Sequence, residues 1–156
     1  MLRNAFRRIV LLGVCFSLFG SGGSIMSAEP GTPPGASSPD AVAAAVARLN
    51  AAINAHDLDA LGAALTDDCV FENTAPAPDG TRYEGKAAVL EFWARWFRNN
   101  PDARFEVEDA FAAGDRYIVR WVYRKPRDGQ PWHLRGVDLF RVRDGRVSEK
   151  LAYIKG

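Results

Sequence analysis

The sequence predicts an α+β domain in which an antiparallel sheet packs one face against three N-terminal helices. Two observations carry that expectation. Apolar residues recur at helical spacing in three segments up to Arg98, then alternate at strand spacing in four segments towards the C-terminus. The dipeptides Gly114-Asp115, Asp128-Gly129 and Asp144-Gly145 separate those four segments as turns. Helices grouped ahead of a strand meander pack against one of its faces.

The chain of 156 residues accommodates one domain with a sizeable core. Its 47% hydrophobic and 25% charged content is that of a globular protein, which argues against disorder for most of its length. The first residues differ from the rest. Arg3, Arg7 and Arg8 precede an apolar run from Ile9 to Phe19, and small residues fill Ser21 to Ala28. That order is the pattern of a secretory signal peptide over residues 1–28, with cleavage after Ser24, Ser27 or Ala28. The apolar run falls short of the roughly 20 residues that a spanning helix needs. Two alternatives stay open: an uncleaved membrane anchor, and lipidation at Cys15 within Leu12-Gly13-Val14-Cys15. The expected destination is the periplasm or the exterior, with no stable membrane insertion once the signal is removed.

Cleavage would leave 17 basic against 19 acidic groups, a net of −2. No basic stripe remains, so a nucleic-acid partner is not expected. Cleavage would also leave Cys69 without a second cysteine, which excludes an intramolecular disulfide and makes it a core residue.

Residues 29–39 carry four prolines among Gly, Ser and Thr and read as a flexible tether, with the folded domain over 40–156. Ser38 or Asp40 caps a first helix that aligns Val42, Val46, Leu49 and Ile53. Asp57 caps a second, Leu58 to Leu65. The third, Lys86 to Arg98, puts Val89, Trp93 and Phe97 on one stripe, with Leu90, Phe92 and Trp96 beside it. Between the last two helices, Cys69 to Thr74 is a short strand and Ala75 to Gly80 a loop. The meander strands are Arg104 to Ala113, Arg116 to Lys125, Trp132 to Val142 and Arg146 to Ile154.

Strand alternation then isolates one residue. Trp132, Leu134, Gly136, Asp138, Phe140 and Val142 share a face that holds nearly all the bulky apolar groups of their strand. Asp138 therefore points inward, where an unpaired carboxylate costs several kcal/mol. It either has a partner that fixes register or faces a polar cavity. Lys150 is the candidate partner, although alternation alone would turn Val147, Glu149, Leu151 and Tyr153 inward instead. Tyr117, Val119, Trp121 and Tyr123 share a strand face, and with Trp93 and Phe97 they supply core or cavity walls. His56 reads as a capping or surface residue and His133 as a surface or interface residue. Neither has a third ligand, and no phosphate loop or nucleophile motif is present, so no metal or cofactor is expected.

The order of three helices, an interposed short strand and a four-strand meander resembles the nuclear transport factor 2-like superfamily. The run Arg135-Gly136-Val137-Asp138-Leu139-Phe140-Arg141-Val142-Arg143-Asp144-Gly145-Arg146-Val147 is similar to its SnoaL-like branch, as is Leu65-Thr66-Asp67-Asp68-Cys69-Val70-Phe71-Glu72-Asn73. The resemblance spans about Asp40 to Lys155. It implies a cone-shaped fold enclosing a small-molecule pocket, and a family of isomerases, polyketide cyclases, hydrolases, dehydratases and binding proteins. It also implies an inward Lys150, where related proteins place an inward His, and dimers built on the outer sheet face, here around Arg135, Val137 and Leu139. Asn73 stands where steroid isomerases carry a general-base Asp, and Asp138 where they carry a second acid. An amide at the first position, Leu49 in place of a phenol, and Ala152 in place of an epoxide-hydrolase carboxylate leave those sites incomplete.

The expected function is an exported protein that binds a small, largely apolar molecule through Asn73, Trp93, Trp121, Tyr123, Asp138 and Lys150. Two alternatives stand beside it. One is a cofactor-independent isomerase, lyase or hydrolase using Asp138 and Lys150 as an acid/base pair. The other is a structural homodimerisation module.

Overall fold

The computed structural model describes residues 38–113 and 115–155. The segments expected as a signal peptide and, up to residue 37, as a tether lie outside the described residues, as do Gly114 of the first hairpin turn and Gly156.

Helix α1 (Pro39–Ala55) begins at the Ser38 option: Ser38 Oγ accepts from Ala41 N at 3.2 Å, and Pro39 occupies the first turn. It ends where His56 takes a left-handed backbone (φ 55°). Helix α2 (Leu58–Ala64) is capped by Asp57, whose Oδ1 accepts from Ala60 N at 2.9 Å. Helix α3 (Lys86–Asn99) buries Val89, Trp93 and Phe97, the stripe expected from spacing.

Six strands form the sheet: β1 (Leu65–Glu72), β2 (Arg82–Glu84), β3 (Arg104–Ala113), β4 (Arg116–Arg127), β5 (Gln130–Arg143) and β6 (Arg146–Ile154). Their order is β2-β1-β6-β5-β4-β3, an open curved sheet whose two ends do not pair with each other. The meander is antiparallel, as expected. Asp128-Gly129 and Asp144-Gly145 make its last two turns with positive φ at both residues, the conformation that matches strand twist.

Three expectations change. Strand β1 starts at Leu65, directly after α2, and not at Cys69. A three-residue strand, β2, pairs with β1 between the expected loop and α3, where no element was expected. The sheet is also mixed, because β1 runs parallel to β6. Strand alternation has the same period in both directions, so it carries no information about pairing sense.

A bulge in β6 resolves its ambiguous pattern. Val147 pairs with Val142 and Glu149 with Arg141, leaving Ser148 as an extra residue whose hydroxyl donates to Arg141 O at 3.3 Å. The phase of the strand flips at Ser148. Val147 faces inward before the flip, and Lys150 and Ala152 do so after it.

The core joins the three helices to the inner sheet face, with Leu49, Leu61, Cys69, Phe140 and Val147 fully buried. Burial pushes the Cys69 thiol up, which keeps it in its unreactive protonated form. Among the described residues no helix is long and apolar enough to cross a membrane.

Two contacts at the C-terminal end of α1 tie it to the edge of the sheet and to α3. Asn54 on α1 reaches the free edge of β3: its Nδ2 donates to Phe105 O and its Oδ1 accepts from Phe105 N, both at 2.8 Å. Asn54→Ala should cost about 1–2 kcal/mol by urea denaturation and speed hydrogen exchange at the Phe105 amide. The His56 ring stacks on Phe97 at 4.6 Å, with Nε2 buried and without a partner among the described residues. Burial first, and the Arg104 charge second, lower its pKa below the ordinary value of about 6.5. The neutral ring is thus the form that fits. Its contribution to stability is complete above about pH 6.5 and is lost as pH falls from there towards the lowered folded value. His56→Asn, which tolerates the left-handed cap, should show a smaller drop in Tm between pH 7.5 and 5.5 than the parent chain.

Candidate ligand-binding site

Strands β5 and β6 build the floor of the interior. Asp138 on β5 lies opposite Ala152, and Lys150 on β6 lies opposite Phe140. The two polar side chains therefore meet along a diagonal of the same face and not as direct cross-strand partners. Lys150 Nζ sits 2.7 Å from Asp138 Oδ2, with the side chains 9% and 6% exposed. This is a charge-assisted pair taken almost entirely out of water. Apolar faces frame the ammonium, which lies 5.1 Å from the Phe71 ring centroid and 5.6 Å from that of Phe140. Phe71 reaches it because β1 pairs Phe71 directly with Lys150.

Only one oxygen of Asp138 is used. Its Oδ1 is buried and accepts nothing among the described residues. The indole of Trp121 is in the complementary state, with Nε1 buried and donating to nothing among the described residues. Buried polar atoms without partners are uncommon enough that a pair of opposite type calls for a third party.

Both residues line an inner chamber of about 20 Å³, closed by Asn50 and Ile53 of α1, Phe105 of β3 and Lys150. That is room for about one water-sized group. A larger cup of about 200 Å³ lies beside it, walled by Phe71, Phe92, Trp96 and Ala152. Trp93, Phe105, Trp121 and Lys150 line both spaces, so the chamber and the cup share a wall and a floor.

Gly136 gives Trp121 its position. The two are cross-strand partners, and a Cβ on Gly136 would lie 2.3 Å from Trp121 Cζ2 and 2.4 Å from Tyr153 O. The indole lies across the bare backbone of Gly136. Phe105 is fixed by its two hydrogen bonds to Asn54 and meets Trp121 edge to face at 5.3 Å.

The residues expected from the sequence divide as follows. Asp138, Lys150, Trp93 and Trp121 converge on the chamber. Asn73 borders the cup, but its carbonyl closes the loop after β1: Oδ1 accepts from Ala75 N at 3.1 Å and from Thr81 N at 2.7 Å. These loop-closing bonds account for its oxygen, and only the amide nitrogen is left to face a ligand. Tyr123 stands outside both spaces. It packs 5.0 Å from Phe105, and its hydroxyl is directed at Asn100, 3.4 Å away. Burial pushes its phenol up, so it is a neutral supporting residue. Tyr123 shares a strand face with Trp121 but lies two residues further along, beside its cross-strand partner Phe105. His133 is exposed, and no group of three His, Cys, Asp or Glu residues is placed to hold a metal among the described residues.

Alternation and spacing gave no reason to select Asn50, Phe105 or Gly136. Gly136 carried one usable signal, since a glycine inside a strand often marks a close approach by another group.

Comparison with known proteins agrees with this architecture. The sequence profile of the SnoaL-like domain matches residues 46–150. No curated protein matches. Among solved structures, an NTF2-like protein of unknown function from Mesorhizobium loti is 38% identical, with a TM-score of 0.65 over 78% of this chain and 96% of that one. A Sinorhizobium meliloti protein provisionally named a polyketide cyclase is 25% identical, with a TM-score of 0.59 over 70% and 93%. A limonene-epoxide-hydrolase-like epoxide hydrolase from M. tuberculosis is 22% identical over 75% and 84%, TM-score 0.61, and is similar in fold.

Proposed function

The chain belongs to the SnoaL-like domain family of nuclear transport factor 2-like folds, and from that membership and its buried ion pair we propose that it is an exported protein that holds a small, largely apolar molecule. One observation carries the reading. The Asp138–Lys150 pair stands at the floor of an aromatic-walled cavity and leaves a carboxylate oxygen unused. A cavity with apolar walls and a few convergent polar groups suits a small organic ligand. The N-terminal basic, apolar and small-residue segments support export.

A thermal-shift screen of small apolar compounds tests this. A ligand that binds only the folded state raises Tm as its concentration exceeds Kd. A subset of compounds should stabilise the parent chain and leave the Asp138→Leu/Lys150→Met double variant unmoved. Equal shifts in both proteins would reject the assignment of the site.

The free Asp138 Oδ1 also favours a second reading, in which the pair passes a proton to and from a bound substrate as a cofactor-independent isomerase, lyase or hydrolase. Asn73 supplies no base to such a reaction, so Asp138 would carry it with Lys150 as its counter-charge. A Lys150→Met variant that still folds and turns substrate over at the parent rate would eliminate this reading.

The outer sheet face fits a second copy of this chain. Phe111, Ile118, Leu139 and Leu151 form one row across β3, β4, β5 and β6, and Phe111 is 46% exposed. Light scattering at micromolar concentration should report a dimer, and Leu139→Glu should convert it to a monomer. A parent chain that is already monomeric would remove the dimer from the account.

A further inference from the structure

Two unpartnered atoms, Trp121 Nε1 and Asp138 Oδ1, belong to residues that line the inner chamber, and they point to the polar end of the ligand, an inference that rests on the pocket reading above. We propose that the ligand enters with a single neutral hydroxyl group at its tip, which accepts from Trp121 Nε1–H and donates to Asp138 Oδ1.

Size and hydrogen-bond type lead to this together. At about 20 Å³ the chamber admits one oxygen-sized group and excludes a carboxylate, a phosphate or a ring. The indole offers a donor only, and the carboxylate oxygen is an acceptor only. A group that satisfies both must accept and donate through one atom, as a hydroxyl does. An ether or a ketone accepts from the indole but leaves Oδ1 bare. A second anion would face Asp138 directly, while the charge that could balance it, Lys150, is already held by Oδ2 at 2.7 Å. An ammonium would face both the indole N–H and the lysine. A water molecule has the same capacity to accept and donate through one atom, so a hydroxyl tip can take the place of a water without leaving a polar group bare. The aromatic cup next to it, walled by Phe71, Phe92, Trp93 and Trp96, then takes the apolar body.

Isothermal titration of the full chain with four matched probes decides the matter: indan-5-ol, indane, 5-methoxyindane and indane-5-carboxylate. Indan-5-ol should bind at least about tenfold more tightly than each of the others, since it alone makes both bonds and one of them is to a charged acceptor. Trp121→Phe keeps the ring and removes the donor. It should weaken indan-5-ol by about three- to tenfold and leave indane unchanged. Near-ultraviolet circular dichroism establishes that the variant is folded. Equal binding of indan-5-ol and indane would mean that water keeps the chamber, and would overturn the proposal while leaving the pocket in place. So would tighter binding of the ether or the carboxylate, or an indifferent Trp121→Phe variant. If none of the four probes binds, the pocket reading fails and this inference fails with it.

Discussion

Replacing Lys150 by Met should lower the free energy of unfolding by about 3–5 kcal/mol, a large share of the total stability of an ordinary domain. The side chain has the right length and apolar character for its surroundings between Phe71 and Phe140. What it removes is the partner of Asp138 Oδ2, while Oδ1 has none among the described residues. A carboxylate 6% exposed is then left without any counter-charge. The cost belongs to the stranded acid more than to the lost lysine, and a second variant separates the two. Asp138→Leu/Lys150→Met replaces both charges with apolar groups of similar volume and should recover most of the loss, ending within about 2 kcal/mol of the parent. Urea denaturation of the parent, both single variants and the double variant closes the cycle. A Lys150→Met variant within about 1 kcal/mol of the parent would show that the pair is not buried as described.

Gly136→Ala should also destabilise the fold, by about 3 kcal/mol, and should do so at the site. Gly136 has no positive φ, so the penalty is one of space and not of backbone conformation. The added methyl would meet Trp121 Cζ2 at 2.3 Å and Cη2 at 2.4 Å, and the Tyr153 carbonyl at 2.4 Å. The indole can swing away, but the carbonyl belongs to the neighbouring strand, which puts the cost towards the upper end of the overpacking range. Swinging the indole moves its N–H and changes the wall that the chamber and cup share. Tryptophan fluorescence and ligand binding should therefore change together with stability. Backbone entropy alone predicts the opposite sign, since alanine in a strand is better than glycine by about 0.5–1 kcal/mol. A variant as stable as the parent would show that Trp121 does not rest on Gly136.

The sequence made some parts of this site visible and hid others, for physical reasons. Asp138 could be placed because β5 alternates without interruption from Trp132 to Val142, and a single acid among apolar neighbours stands out. Lys150 could not be placed by pattern, because Ser148 inserts one residue and reverses the phase of β6 partway along. The resemblance to SnoaL-like proteins pointed it inward, and the bulge explains why. Helix caps at Ser38 and Asp57 were legible because they depend on neighbours three residues away. The Asn54 contacts with Phe105 span 51 residues and have no sequence period. Strand β2 was missed because three residues with exposed, half-buried, exposed character carry too little alternation. Tyr123 was assigned to the cavity with Trp121 because they share a face, and a face does not fix depth. Phe105, the cross-strand partner of Tyr123, lines the chamber where Tyr123 does not, and it comes from another strand.

The most direct measurement is native mass spectrometry of the protein purified from its own source, with the Asp138→Leu/Lys150→Met variant prepared in the same way. The parent chain should carry an added mass of small-molecule size that leaves on mild activation, and the variant should be bare. A parent chain of bare polypeptide mass, or the same adduct retained by a chain without the two charges, would contradict a ligand held above that pair.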